Sequence, residues 1–336
     1  MSDFTPKQRY LNILNGKPVD RISCSCPLQT ATMELMDKTD THWPASHKEP
    51  KKMADLAYAA WEYAGLESVR VPFCLTVEAE TLGCKIDLEN EKSQPSVQEH
   101  ILMEKENLDN LQVPEPEKDG RIPVVGEAVS MLKEKVGDEL PVICGIVSPF
   151  TLAGHLRGVE FLLMDTFDDP EFVENVVSFA GDVTAVYGKY LESQGADSIC
   201  LIDPSATTEL IGPDLFASLA APNIKKVVDS LSTPVVLHIC GDTMAILEDM
   251  EGTGAKGISI DHIVDTAKAK SILKDAALVG NINPVDSLMF GDQGTVLKNA
   301  QACFEGGTDI MAPGCGISPN TPTENILAYT KYTKNL

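Results

Sequence analysis

The chain has 336 residues, 43% of them hydrophobic, which is enough for one large core or two small ones. Fifty acidic against 27 basic residues give a formal net charge of −23, so neither nucleic acid nor an anionic membrane surface is an expected partner. Nine cysteines, an odd number set mostly in apolar strand-like runs, argue against a disulfide framework. Met1 to Lys7 carries no apolar leader and no run is long enough to span a bilayer, so a reduced cytoplasm is the expected location.

The first predicted element is a helix over about residues 5–16. Thr5 can cap it, Pro6 suits its first position, Tyr10, Leu11, Ile13 and Leu14 form its apolar stripe, and Gly16 ends it. Arg21 to Pro27 reads as a strand in which Cys24 and Cys26 share a face. A helical region with a break at His42-Trp43-Pro44 follows, then a second strand from Ser68 to Cys74. Residues 80–120 are more polar, and Cys84 to Leu102 is predicted to be a β-hairpin excursion.

From there helices and strands alternate. A helix over about 123–136 precedes strand Val142–Val147. A helical hairpin follows, whose second arm opens at Asp169-Pro170. Four more strands are predicted at Ser198–Asp203, Pro234–Cys240, Gly257–Asp261 and Ala277–Asn281, and a short one at Asp309–Ala312. The last helix is predicted to begin with a capping box of Thr321, Pro322 and Glu324. Eight strands, most followed by helices, favour a closed (β/α)8 TIM barrel, here one domain over residues 1–336, with the N-terminal helix and the hairpin as additions. An open doubly wound sheet usually begins with a Gly-rich phosphate turn, and none is present.

In Pro234-Val235-Val236-Leu237-His238-Ile239-Cys240-Gly241, alternation puts His238 and Cys240 on one face at the end of a strand. One imidazole and one thiolate make half of a zinc site, and Cys315, between two glycines in Pro313-Gly314-Cys315-Gly316, is the expected third ligand. The fourth position is left open for a substrate thiol. Read alone, His-x-Cys is equally compatible with a buried, inert cysteine. In a barrel all three residues reach the C-terminal rim, where active sites of this fold sit. Asp203, Asp261 and Asn281 also end strands there. Asp203 is the expected catalytic carboxylate, either orienting His238 or taking a proton, and a capping role is the plain alternative.

Four stretches together resemble the methylcobalamin:coenzyme M methyltransferases of methanogenic archaea, within the uroporphyrinogen decarboxylase superfamily. They are Thr76-Val77-Glu78-Ala79-Glu80-Thr81-Leu82-Gly83, Ser148-Pro149-Phe150-Thr151-Leu152-Ala153, Leu237-His238-Ile239-Cys240-Gly241-Asp242 and Ala312-Pro313-Gly314-Cys315. The resemblance spans nearly the whole chain. It implies a TIM barrel, zinc as cofactor, coenzyme M as methyl acceptor and a methylated corrinoid on a partner protein as donor, in methanogenesis from methanol or methylamines. Another thiol such as homocysteine is an alternative acceptor. Decarboxylases of the superfamily hold a polyanionic porphyrinogen with arginines near the N-terminus. The corresponding Pro27-Leu28-Gln29-Thr30-Ala31-Thr32-Met33 has none, so that alternative is disfavoured.

Overall fold

The computed structural model describes residues 4–336. Met1, Ser2 and Asp3, the start of the segment expected to carry no leader, lie outside the described residues. Numbered in chain order, the strands are β1 (Val69–Val71), β2 (Lys85–Asp87), β3 (Ser96–Glu99), β4 (Val142–Val147), β5 (Ser198–Ile202), β6 (Val235–His238), β7 (Gly257–Ser259) and β8 (Ala277–Val279). Six of them form one parallel sheet in the order β1-β4-β5-β6-β7-β8. The expected first and last staves complete the ring as isolated parallel bridges, Val279 to Ile310 and Ile310 to Ser23. Between Ser23 and β1, side chains replace the ladder. Cys24 N–H donates to the Glu67 carboxylate and Cys26 N–H to Ser68 Oγ, beside one backbone bond from Glu67 N–H to Cys24 O. The fold is therefore the TIM barrel that the alternation predicts, with the first and last staves reduced to single bridges and β1 and β5 to β8 shorter than the expected spans.

Register fixes what faces the barrel axis. Arg70 pairs with Ile143, Gly145 with Cys200, Ile202 with His238, and His238 with Ser259. Paired residues of parallel strands share a face. Arg70, Gly145, Cys200, Ile202, His238 and Ser259 thus form one inward-facing set.

The N-terminal helix, Pro6–Leu14, has the expected Thr5 cap, made into a full capping box by Gln8. It closes the barrel's bottom. Tyr10 is fully buried and its hydroxyl bonds Ser198 Oγ at 3.2 Å, at the start of β5. A Cβ on Gly257, at the start of β7, would stand 2.9 Å from Leu14 Cδ2, so glycine makes room for the plug. The excursion is present as the antiparallel pair β2–β3. Its tip residue Gln94 reaches the cavity at the opposite end of the barrel.

The last helix departs from expectation. It runs Thr323–Lys334 and no side chain of its own caps it. Thr321 Oγ1 is buried without a partner among the described residues. The carboxylate of Glu34 instead accepts from Thr323 N–H at 2.8 Å. A tertiary contact has displaced the local capping box, which sequence spacing cannot reveal. Among the described residues no helix is long and apolar enough to cross a membrane.

Candidate metal centre and active site

The three expected ligands converge. His238 ends β6 and is buried, while Cys240 and Cys315 are half-buried. Cys240 Sγ lies 3.4 Å from His238 Nε2 and 3.9 Å from Cys315 Sγ, and the three ligand atoms all fall within 4.8 Å of one another. Around a tetrahedral ion with metal–sulfur bonds of ~2.3 Å and a metal–nitrogen bond of ~2.0–2.1 Å, such edges are about 3.5–3.8 Å long. The donor set and its spacing therefore fit zinc with one position left open.

Each ligand is held from behind. His238 Nδ1 faces Ser259, with the carbonyl oxygen at 3.2 Å and Oγ at 3.1 Å, which leaves Nε2 directed at the cysteines. Cys240 precedes Gly241, whose φ of +80° turns the chain. A Cβ there would meet the Glu209 carboxylate at 2.9 Å. Gly241 N–H donates to Asp261 Oδ2 at 3.0 Å, so Asp261 braces the loop. Asp261 also holds its neighbour His262, 2.6 Å away. The Cys315 loop is pinned by Gln29, whose amide donates to Ile317 O at 2.8 Å and whose backbone carbonyl accepts from Ile317 N–H at 2.8 Å.

The thiols behave as a coupled pair. The hydrogen bond from Cys240 holds Cys315 well below the ordinary thiol range, against its burial and with help from His238. The same hydrogen bond, reinforced by burial, pushes Cys240 far up. A cation that displaced the proton between them would meet two thiolates.

Asp203 occupies a different environment from the one expected for orienting His238. Its Oδ1 accepts from Thr151 N–H at 2.9 Å and from Thr151 Oγ1 at 2.6 Å, in the first turn of helix Pro149–Arg157. Ser259 holds the imidazole instead. Oδ2 is buried with no partner among the described residues, and burial lifts the carboxyl to about 6. Asn281 is spent on structure, donating to the carbonyls of Asp261 and Val264.

The ligands open into a cavity of about 190 Å³ at the C-terminal end of the strands. Leu28, Ile202 and Pro204 line it beside Arg70. Arg70 is a buried cation that sequence reading missed. Its signals were a lone charge in the apolar run Ser68-Val69-Arg70-Val71 and a glycine, Gly145, in the buried strand alongside. A Cβ on Gly145 would fall on the guanidinium.

The uroporphyrinogen decarboxylase family profile matches residues 5–336. The chain belongs to that family. A methylcobamide:CoM methyltransferase MtbA of Methanosarcina acetivorans is 38% identical to it, over 100% of this chain and 99% of the relative. A methylcobamide:CoM methyltransferase MtaA of Methanosarcina barkeri is 40% identical, over 98% and 97%. A solved methyltransferase from Methanosarcina mazei superposes with a TM-score of 0.95 at 37% identity, covering 99% of each chain. Within the family the chain is a methyltransferase, in the branch of these relatives.

Proposed function

We propose that this methyltransferase carries a methyl group from a methylated corrinoid, borne on a partner protein, to the thiol of coenzyme M, with zinc held by His238, Cys240 and Cys315. The observation that carries the reading is the convergence of one imidazole nitrogen and two thiol sulfurs within 4.8 Å, at a cavity on the barrel's catalytic end. The names of the related methyltransferases supply the donor and acceptor classes. Nine free cysteines fit a reduced, cytoplasmic setting.

Zinc at this site would supply a Lewis acid that favours thiolate over thiol, where a free thiol of pKa ~8.5 is only a few per cent ionised near neutrality. The chain's own residues do the rest. Ser259 fixes the tautomer and direction of His238. Leu28, Ile202 and Pro204 give the cavity apolar walls that limit water around the sulfur. Asp203, fully buried behind the wall residues Ile202 and Pro204, with an Oδ2 that has no partner among the described residues and a carboxyl raised to about 6, is proposed as acceptor for the thiol proton. The thiolate sulfur then attacks the methyl carbon. The new S–C bond forms as the Co–C bond breaks, and cobalt keeps the electron pair.

Metal analysis and X-ray absorption of the purified protein test the reading. About one zinc per chain is expected, bound by one nitrogen and two sulfur ligands of the protein, with a further sulfur appearing when coenzyme M is added. A ligand shell unchanged by saturating thiol would overturn it.

A further inference from the structure

Arg70 is inward-facing on β1 and only 2% exposed, yet it has no carboxylate partner among the described residues. Its Nε donates to Pro27 O at 3.3 Å and its Nη1 to Pro72 O. Both carbonyls are neutral and both lie beyond the strands that lead to them, so the side chain leans toward the C-terminal mouth. Nη2 lies over Gly145 and donates to no acceptor among the described residues. Two thiols whose charge would act on it, Cys26 and Cys200, are neutral because burial pushes each up to about 12, and Cys74, which despite its burial Arg121 holds down at about 5, accepts from Arg121 rather than from Arg70. A buried guanidinium left with a free edge is expensive unless an anion completes it. In a chain of net charge −23, the acidic surface gives no reason to keep a cation inside the barrel.

Register gives the spacing. Gly145 pairs with Cys200, and the next inward-facing layer up is Ile202 paired with His238. The guanidinium thus lies one layer, two residues or roughly 6–7 Å, below the imidazole that helps hold the thiol. A two-carbon linker between a sulfur at the cysteines and an anion at Arg70 matches that separation. Of the two glutamines at the cavity, Gln29 has both ends of its amide bonded to the backbone of Ala31 and Ile317, and Gln94 comes from the tip of the β2–β3 excursion and carries no charge.

We infer that Arg70 is the anchor for the anionic tail of the acceptor thiol, and that it selects tails of pure negative charge. A sulfonate accepts from the free guanidinium edge without bringing a cation. An amino-acid tail such as that of homocysteine brings an ammonium group, and the cavity wall offers no carboxylate to receive it. The inference rests on the proposed reading of the site as one that binds a thiol.

The test separates the two. Ethanesulfonate, which has the anion and no thiol, is titrated calorimetrically into the wild-type zinc protein and the Arg70→Met and Arg70→Lys variants. Zinc content and thermal melting verify that each variant is folded. Methyl transfer from methylcobalamin is measured with 2-mercaptoethanesulfonate and with 2-mercaptoethanol as acceptors. Wild type should bind ethanesulfonate and should prefer the sulfonate thiol in kcat/KM. Arg70→Met should lower ethanesulfonate affinity by about 100-fold and collapse the acceptor ratio by a similar factor, the size expected for a lost charge-assisted pair of hydrogen bonds. Arg70→Lys, which keeps the charge without the fork, should fall between and serves if the methionine variant does not fold. A folded variant that retains both ethanesulfonate affinity and the acceptor ratio overturns the anchor while leaving the methyltransferase reading intact. If wild type transfers methyl to neither thiol, the reading of function fails, and the ethanesulfonate titration still decides whether Arg70 binds an anion.

Discussion

Two buried carboxylates at opposite ends of the barrel meet opposite fates. Glu67, just before β1 at the closed end, faces Arg9 and Arg21 and also accepts from Cys24 N–H. Burial alone would raise its carboxyl, but Arg21 and its other partners hold it below the usual range. Asp203, just after β5 at the open end, has hydroxyl and amide donors, no cation and one idle oxygen, and burial lifts it to about 6. The closed end satisfies its polar groups and so contributes stability. The open end leaves Asp203 Oδ2, Arg70 and two thiols short of partners, and a substrate or ion can supply what is missing.

The contrast can be broken in three places. The largest effect is expected from Cys315→Ala. Removing a ligand should weaken zinc binding by more than the ~100-fold typical of changes to a ligand's hydrogen-bond partner, and activity should vanish with the metal. The barrel should still melt cooperatively. Full zinc occupancy with full turnover would remove Cys315 from the ligand set.

At the closed end the prediction reverses. Glu67→Gln should cost about 3 kcal/mol of stability, since it takes the only carboxylate among the described residues from the half-buried Arg21 and leaves the buried Arg9 with Asp20 alone. Zinc content should not change. Because the folded carboxyl is depressed, Glu67 contributes fully above the ordinary carboxylate range, and that contribution is lost as pH falls through its folded value. Urea denaturation at several pH values measures this. An unchanged midpoint would show that the closed end does not depend on the pair.

Asp203→Asn gives the most pH-dependent effect, and it disappears in acid. A carboxyl raised from 3.8 to about 6 favours its protonated form in the folded state. Its cost to stability is absent below the lower value, grows as pH rises between the two, and is complete above the higher. The order of magnitude is 3 kcal/mol by the factor of ~1.4 kcal/mol per pKa unit. The asparagine keeps an oxygen for Thr151, so its stability relative to wild type should climb between pH 4 and 6 and then level off. A flat difference across that range would mean the carboxyl titrates normally.

The strand carrying His238 and Cys240 was legible because period-two alternation and the ending glycine are local signals. The convergence of Cys315 followed only once eight β/α units were counted, since a barrel brings strand ends together. What escaped was set by contacts between distant segments. Glu34 caps a helix 289 positions away, so the box at Thr321 looked sufficient and is not formed. Ser259 supports His238 through strand register, which periodicity does not specify. Arg70 read as an ordinary strand residue until Gly145, on the neighbouring strand, explained the space it fills.

The Cys315 loop is tied to the chain's beginning by Gln29 and Ile317, by the bond from Met33 N–H to Pro319 O, and by Glu34 at Thr323. Cys240 and Cys315 are 75 positions apart, and the ties that seat Cys315 bridge up to 289. During synthesis the chain therefore carries a half-made ligand pair until its final segment has emerged and folded back onto residues 29–34. Contacts of such separation form late in folding. On the proposed reading, metal uptake then marks a finished molecule: a chain ending before Cys315 would hold His238 and Cys240 but no third ligand.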